Sequence, residues 1–406
     1  GSRGLGDVYK RQGQPVRFGG GFGGLSFAGP LPRGAFLRKR RHSSGVYPSS
    51  TPKPSPKRTD MFWAARIHVV GRLSCLHFLF HGDFAVIHGS FEKGNTLIYT
   101  LTPNPAIDYN ISCDGLQSNT VTRTRDAVYT PNGKGLNVSF TLNHYGVDTA
   151  ILGFFAGFSG RYIVEGAREL GVDVHPVWSE GITRVNVFLN AGPDTEYNMV
   201  NSGAAITDAD EKAMFELIDG LEDLDCLAIS GSLPPNASEG FLRGAIERVR
   251  ARGAQFVLDI SSPQLADLLG LEPLLIKPND DELRDIFGID VHAGDEESVA
   301  AAMAELHARG AQNVLLTLGG SGAYFSNGEH IWFASRAFEV EVRSTVCAGD
   351  SSLAAFLSIW FSERDRVEDA LRRSMATGAN VVECAGLGDF AHVEEYEKGI
   401  EVRLVK

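Results

Sequence analysis

Cysteine is scarce: there are five in 406 residues (Cys75, Cys113, Cys226, Cys347 and Cys384), an odd number at wide spacing with no CxxC pair. That excludes a disulfide framework or a cysteine-built zinc site, and reduced thiols of a cytoplasmic protein are expected. A basic surplus is also lacking. The 38 Lys+Arg stand against 50 Asp+Glu, a formal net charge of −12, which argues against a nucleic-acid partner. There is no GxxxxGK[ST] loop and no GxGxxG at a strand-to-helix turn, so Walker-type and nicotinamide readings find no support. No repeat with a period of 20–50 residues is present. What remains is ordinary globular composition, 43% hydrophobic and 22% charged, which rules out a wholly disordered chain, a collagen or a mucin-like stalk.

The charge is unevenly distributed. Residues 1–95 carry 15 Lys+Arg and 4 Asp+Glu, a surplus of +11, which leaves 23 and 46, or −23, for residues 96–406. The first part contains GGGFGG at Gly19–Gly24, the basic run Arg38–Arg41 and a Ser/Pro-rich stretch at Ser43–Pro56, so residues 1–60 are expected to be disordered. Residues 61–90 are more apolar, but Arg66, Arg72, His77 and His81 break them up. Their uncharged runs fall short of the roughly 18 residues a membrane helix needs, so no membrane partner is expected. An Arg-rich, acid-poor leader is like a mitochondrial transit peptide, although the Gly-rich runs fit that poorly. Asp7–Gln12 reads DVYKRQ, which resembles the conceptual translation of a transposon-end sequencing adapter. Much of residues 1–95 is accordingly expected to be translated adapter or non-coding sequence, with a start at Met61 or nearer Ser90; a genuine disordered tail is the alternative.

From Thr96 onward strands and helices alternate. Strands are expected at Leu97–Leu101, Ala150–Phe154, Cys226–Ser230, Gln255–Asp259, Leu274–Lys277 and Asn313–Leu318. Helices are expected at Gly135–Tyr145, Tyr162–Leu170, Glu239–Arg252, Glu297–Arg309, Ser351–Ser362 and Val367–Asn380, and a hairpin at Asn327-Gly328. Such alternation implies a doubly wound, mostly parallel sheet flanked by helices. Two segments, 108–129 and 184–200, alternate polar and apolar residues and read as antiparallel strands of a small sheet apart from the main one, a lid over a crevice.

Four segments could carry chemistry. Thr345–Asp350 lies between a strand-like run (Phe338–Val342) and a helix. The N–H groups of Ala348, Gly349 and Asp350 would form an anion nest there, with Asp350 placed to take a proton from a hydroxyl. An ordinary helix start with Asp near the N-cap is the competing account. Thr317–Gly322 follows a strand, and its glycines would either admit a nucleotide or make a plain hairpin turn. Asn279 and Glu282, at i and i+3, would either hold Mg²⁺ through water or form a capping box. Asn132–Asn137 joins a β-rich stretch to a helix with polar side chains suited to a sugar phosphate, and Arg184 on a lid strand is either a phosphate clamp or a solvated surface arginine.

Together these segments resemble the ribokinase-like (PfkB) carbohydrate kinases over about residues 96–403. The order is TPNPAID at 102–108, NGKGLN at 132–137, TRVNV at 183–187, SGSLPP at 230–235, KPNDDEL at 277–283, TLGGSGA at 317–323 and STVCAGDS at 344–351. The resemblance implies one kinase domain over 96–406, a ribokinase-like α/β fold with a β lid, and the branch that acts on ketohexose phosphates. It implies ATP and Mg²⁺ as cofactors, a small-molecule sugar phosphate as substrate, and homodimerisation through the lid. The implied reaction converts fructose 1-phosphate to fructose 1,6-bisphosphate. Tagatose 6-phosphate or fructose 6-phosphate are alternative substrates, and a sugar-phosphate-binding protein impaired in catalysis is the alternative of another kind.

By this resemblance Asp350 is the general base, and residues 348–350 form the hole for the transferring phosphoryl group. Asp108, Gly133, Lys134 and Asn137 line the sugar site, and Arg184 binds the phosphate already on the sugar. Thr317, Gly319, Gly322 and Asn380 border the nucleotide, and Asn279 and Glu282 organise the metal. The sequence departs from the family pattern at four positions: Cys347 and Asn132 stand where glycine is usual, Phe188 where lysine is frequent, and Ala355 where glycine is frequent. A side chain at residue 347 is expected to narrow or tilt the anion turn unless φ stays negative. Asn132 is expected to tolerate left-handed geometry.

Overall fold

The computed structural model describes residues 97–406 except 193, 194, 337, 338 and 385, so the expectations for residues 1–95 lie outside the described residues. The strands are β1 (Leu97–Thr102), β2 (Ala106–Ser112), β3 (Arg125–Asn132), β4 (Asp148–Ala156), β5 (Asp173–Ser179), β6 (Arg184–Asn190), β7 (Glu196–Met199), β8 (Cys226–Ser230), β9 (Gln255–Asp259), β10 (Leu275–Ile276), β11 (Val314–Thr317), β12 (Ala323–Ser326), β13 (Ile331–Ala334) and β14 (Val402–Leu404). The helices are α1 (Lys134–His144), α2 (Gly157–Glu169), α3 (Asp208–Gly220), α4 (Phe241–Ala251), α5 (Gln264–Leu268), α6 (Asp280–Glu282), α7 (Glu296–Ala308), α8 (Ala348–Trp360), α9 (Val367–Val382) and α10 (Val393–Glu397).

Ten strands form the main sheet in the order β14-β13-β12-β11-β10-β9-β8-β1-β4-β5. The run from β5 to β11 is parallel and the last three pairings are antiparallel. The parallel strands are apolar on both faces because helices cover both. Tyr99, Leu101, Leu227, Ile229 and Leu258 turn to one face and pack with residues of α3, α4 and α7. Ile98, Ala228, Val257 and Leu315 turn to the other, against α1, α8 and α9. The chain runs from β1 outward to β4 and β5, then returns to place β8 on β1's other side. The strand order reverses at β1 and β8, and in open α/β sheets the crevice at that switch point, beyond the carboxyl ends of the strands, is where ligands bind.

The second sheet has the order β3-β2-β6-β7. Its outer pairs are antiparallel, as the sequence implies, but β2 and β6 pair in parallel. The intervening chain passes through α1, β4, α2 and β5 before returning, so β6 re-enters in the same direction as β2. Two further differences bear on the site. Residues 339–342 form no strand, and α8 starts at Ala348, three residues earlier than the periodicity suggests, so that Asp350 lies inside its first turn. Asn327-Gly328 does join two antiparallel strands, β12 and β13.

Leu101 is fully buried on β1, which is paired on both sides in the main sheet. Leu101→Ala is expected to cost about 2–5 kcal/mol of stability, read from the shift in the denaturant midpoint at unchanged slope.

Candidate active site

Three strand ends and two helix starts converge at the carboxyl edge of the main sheet. Asp259 ends β9 and is almost fully buried. Its Oδ1 lies 3.2 Å from Lys277 Nζ, just past β10, and 3.5 Å from Lys134 Nζ, the first residue of α1. Burial alone would raise the Asp259 carboxyl, but the two ammonium groups outweigh it and hold the group below the usual carboxylate range. Asp259 in turn pushes the Lys134 amine up, so it stays charged. Lys134 Nζ also donates to Ser261 Oγ at 3.3 Å, and Ser261 Oγ donates to Glu282 Oε1.

Asp350 does not cap its helix. The N-cap of α8 is Cys347, with no side-chain capping bond, and the Asp350 carboxylate accepts a hydrogen bond from Asn137 Nδ2 at 2.8 Å. Burial drives the Asp350 pKa up to about 6. Lys134, Asn137 and Lys277 oppose the rise and Asp259 adds to it. The first N–H groups of α8, on Ala348, Gly349 and Asp350, have no acceptor within the helix. A Cβ on Gly349 would lie 3.4 Å from Lys277 Nζ, so that ammonium sits against the turn. Donors, a cation and a proton acceptor thus share one site.

The lid contributes the second group. Asp108 on β2 is buried, and its Oδ1 accepts from Asn186 Nδ2 at 2.9 Å on the adjoining β6. Burial raises the Asp108 carboxyl; Asn186 and Arg184 oppose it. Arg184 donates to the backbone oxygens of Asn104 (2.8 Å) and Asn201 (3.3 Å), while its buried Nε is unpartnered. Its guanidinium is therefore anchored rather than solvated, with a donor left over. Thr102 Oγ1, Ser230 Oγ and Asn137 Oδ1 are likewise buried without a hydrogen-bond partner. Unpaired buried polar atoms cost about 1–3 kcal/mol each, and three of them at the ends of β1 and β8 and on α1 make this the candidate ligand site.

Gly133 and Gly135 let α1 press onto the end of β1. Added Cβ atoms there would come within 2.7 Å of Thr102 Cγ2 and 2.3 Å of Thr102 Oγ1, respectively. Asn132 keeps an ordinary negative φ, so no left-handed tolerance is needed; its Oδ1 accepts from Gly133 N and Asn137 Nδ2. Cys347 does differ from the expectation for an untilted turn, because its φ is +68°. The thiol is buried, and the side chains of Asn132 and Asn137 lie 3.5 and 3.3 Å from its sulfur. Burial and the nearby Asp350 keep the thiol protonated. The turn keeps its left-handed shape at a steric cost of about 1–2 kcal/mol for a residue with a Cβ.

Asn279 and Glu282 form the capping box: Glu282 N donates to Asn279 Oδ1 at 2.7 Å, and Asn279 N to Glu282 Oε2 at 3.1 Å. Among the described residues no cluster of three or more His, Cys, Asp or Glu could cage a metal ion. Asn279 bridges to Thr317, and the tight turn at Gly319–Ser321 leads into β12 with open space beside Gly319 and Gly320. Gly322 has a structural role, since its φ is +114° and a Cβ would meet Ala334 O at 2.5 Å. Asn380 is 2% exposed, and its Oδ1 accepts from His392 N at 3.0 Å, so its side chain is spent on the chain's own loop.

Sequence reasoning did not single out Asp259, Lys277, Asn186 or Asn104. The available signal for the first two was a charged residue at the end of an otherwise apolar strand, which in this architecture points at the crevice.

Cys347→Gly is expected to preserve turnover and to exceed Cys347→Ala in stability by about 1 kcal/mol, because alanine retains the Cβ in the left-handed region. Thermal denaturation of both variants beside a steady-state assay checks this.

The sequence profile of the pfkB family carbohydrate kinases matches residues 102–393. A D-tagatose-1-phosphate kinase from Klebsiella oxytoca is 47% identical over 306 residues, covering 75% of this chain and 99% of the relative. A 1-phosphofructokinase from Bacillus subtilis is 32% identical, with 75% of this chain and 99% of the relative covered. Among solved structures, phosphofructokinase-2 from Escherichia coli in complex with substrates and products aligns with a TM-score of 0.68 at 26% identity, covering 75% of this chain and all of the other. With a parallel sheet reversing at β1 and β8, a lid beside it and a carboxylate at the head of α8, this chain belongs to the pfkB family of carbohydrate kinases.

Proposed function

We propose that the protein transfers the γ-phosphoryl group of ATP to the free primary hydroxyl of a ketohexose 1-phosphate. The observation that carries this reading is the Asp350 carboxylate, buried beside three unpaired N–H groups and tuned to about 6. In a ketohexose 1-phosphate the remaining primary hydroxyl is on C6, so the product is a 1,6-bisphosphate. D-tagatose 1-phosphate is the first reading, supported by the name of the 47% identical relative. Fructose 1-phosphate, its epimer, is the second, supported by the 1-phosphofructokinase relative and by the TPNPAID and TRVNV segments.

The roles follow from the chemistry each position offers. Asp108, held by Asn186, accepts hydrogen bonds from sugar hydroxyls, with Gly133, Lys134 and Asn137 lining the same site. Arg184 offers its unpartnered Nε–H to the phosphate already on the sugar. Asp350 takes the proton of the attacking hydroxyl, and a pKa near 6 keeps it ionised at neutral pH yet basic enough to accept it. The N–H groups of residues 348–350 and the ammonium of Lys277 stabilise the charge spread over the transferring group. Thr317, Gly319 and Gly322 border the nucleotide, and Asn380 shapes that edge through its hold on His392.

A magnesium ion arriving with the nucleotide would take its ligands from phosphate oxygens and water, with Asn279 and Glu282 behind the waters, and would neutralise part of the phosphate charge. An impaired binding protein would require Cys347 to spoil the turn, and its left-handed φ leaves the helix start intact. The cytoplasm, where ATP and sugar phosphates meet, is the proposed location. Val128, Tyr129, Met199 and Val200 are exposed on or beside the lid, which supports pairing of two copies there.

Asp350→Asn is expected to lower kcat by about 10²–10⁴-fold while nucleotide affinity stays within about twofold. In the wild type, kcat/KM is expected to fall as pH drops through about 6, because the protonated carboxyl cannot accept a proton. A variant retaining most of its kcat would remove Asp350 from the mechanism. A coupled assay with tagatose 1-phosphate, fructose 1-phosphate, fructose 6-phosphate and tagatose 6-phosphate is expected to show turnover of the two 1-phosphates, the tagatose ester first. Equal rates with the 6-phosphates would defeat the substrate assignment.

A further inference from the structure

At the opposite ends of the elements that build the active site lies a pocket of about 390 Å³. Gln255, which lines it, opens β9, whereas Asp259 closes that strand; Trp360 closes α8, whereas Asp350 lies in its first turn. The volume falls within the range of small-molecule sites, about 300–1,000 Å³. The floor is apolar and well packed, with Phe325, Trp360 and Val367 all nearly buried, while Gln255, Asn327 and Arg364 supply polar groups.

Arg364 is the unusual member. Its guanidinium stacks 3.9 Å over the Trp360 ring and 4.8 Å from the centre of Phe361. Of the acids around it in sequence, Glu363 and Asp369 pair with Arg366 at 3.2 and 2.9 Å, and the adjoining Asp365 makes no ion pair with Arg364. Among the described residues no carboxylate is ion-paired with Arg364, and partial burial lowers its pKa. A guanidinium held over an indole ring is attracted to the ring face without using up its N–H donors, and its fork matches a carboxylate or a phosphate. In a region of net charge −23, an unpaired cation at the mouth of an apolar pocket is a local exception rather than part of a basic surface.

We propose that this pocket is a second ligand site, separate from the catalytic crevice, for a small organic oxyanion. Arg364 grips the carboxylate or phosphate in two-pronged fashion, Gln255 adds a hydrogen bond, and the body of the ligand covers the floor formed by Phe325, Trp360 and Val367. The assignment does not depend on which sugar phosphate is the substrate. It places an anion directly against Trp360, at the far end of the helix that carries Asp350.

The test is titration of the full-length protein with sodium citrate, inorganic phosphate and AMP, followed by calorimetry and by tryptophan fluorescence. Arg364→Gln removes the charge, and Gln255→Glu leaves Arg364 in place but sets a repelling charge beside the ligand. At least one probe is expected to bind saturably, with affinity at least tenfold lower in both variants and with kcat in the absence of probe unchanged. Carboxylate and phosphate sources are separated by which probe binds. If no probe saturates, or if one binds equally well in wild type and both variants, the pocket is not an oxyanion site. Because Gln255→Glu changes a side chain at the rim, its result stands even if Arg364→Gln proves unstable.

Discussion

The site is organised around one buried carboxylate, Asp259, held between two lysines. It ties the end of β9 to the start of α1 through Lys134 and to the chain beyond β10 through Lys277. A buried charge with one partner removed is strongly destabilising, so such a knot fixes its members in place more than it adds net stability. Its functional consequence is positional. Lys277 is brought against Gly349, and Lys134 is held between Asp259, Ser261 and the field of Asp350.

The same constraint explains how an acidic protein can host anionic substrates. With −23 over residues 96–406, the long-range field opposes them. Attraction must come from charges and dipoles fixed at short range in a poorly hydrated setting: two lysines, the arginine anchored by Asn104 and Asn201, and the first turn of α8. Burial also raises the Asp350 carboxyl to about 6, which in the proposed mechanism is the working range of a general base.

Much of this was legible in the sequence. Apolar runs of five or six residues such as Leu97–Leu101 and Cys226–Ser230 could only be buried strands, and Gly146 and Gly171 marked helix ends. The segments around Asp350, Lys134 and Asp108 were recognisable because polar residues sat where strands hand over to helices. Other positions are ambiguous at the level of sequence. Asn279 and Glu282 fit a water-mediated metal site and a capping box equally, because both need the same spacing, and the fold shows that they cap each other. Nothing local in the sequence tells that the Asn380 amide oxygen accepts from His392 N.

The sequence by itself determined the periodicities, and with them the alternation of strands and helices, the lid and the approximate place of the site, because burial imposes those patterns on neighbouring residues. Tertiary structure alone decided the partnerships across long separations: Lys134, Asp259 and Lys277 around one carboxylate, Asn137 on Asp350 across 213 residues, the parallel pairing of β2 with β6, and Arg364 lying unpaired on Trp360. Such contacts depend on where the sheet brings distant strand ends together, and no local period along the chain encodes that.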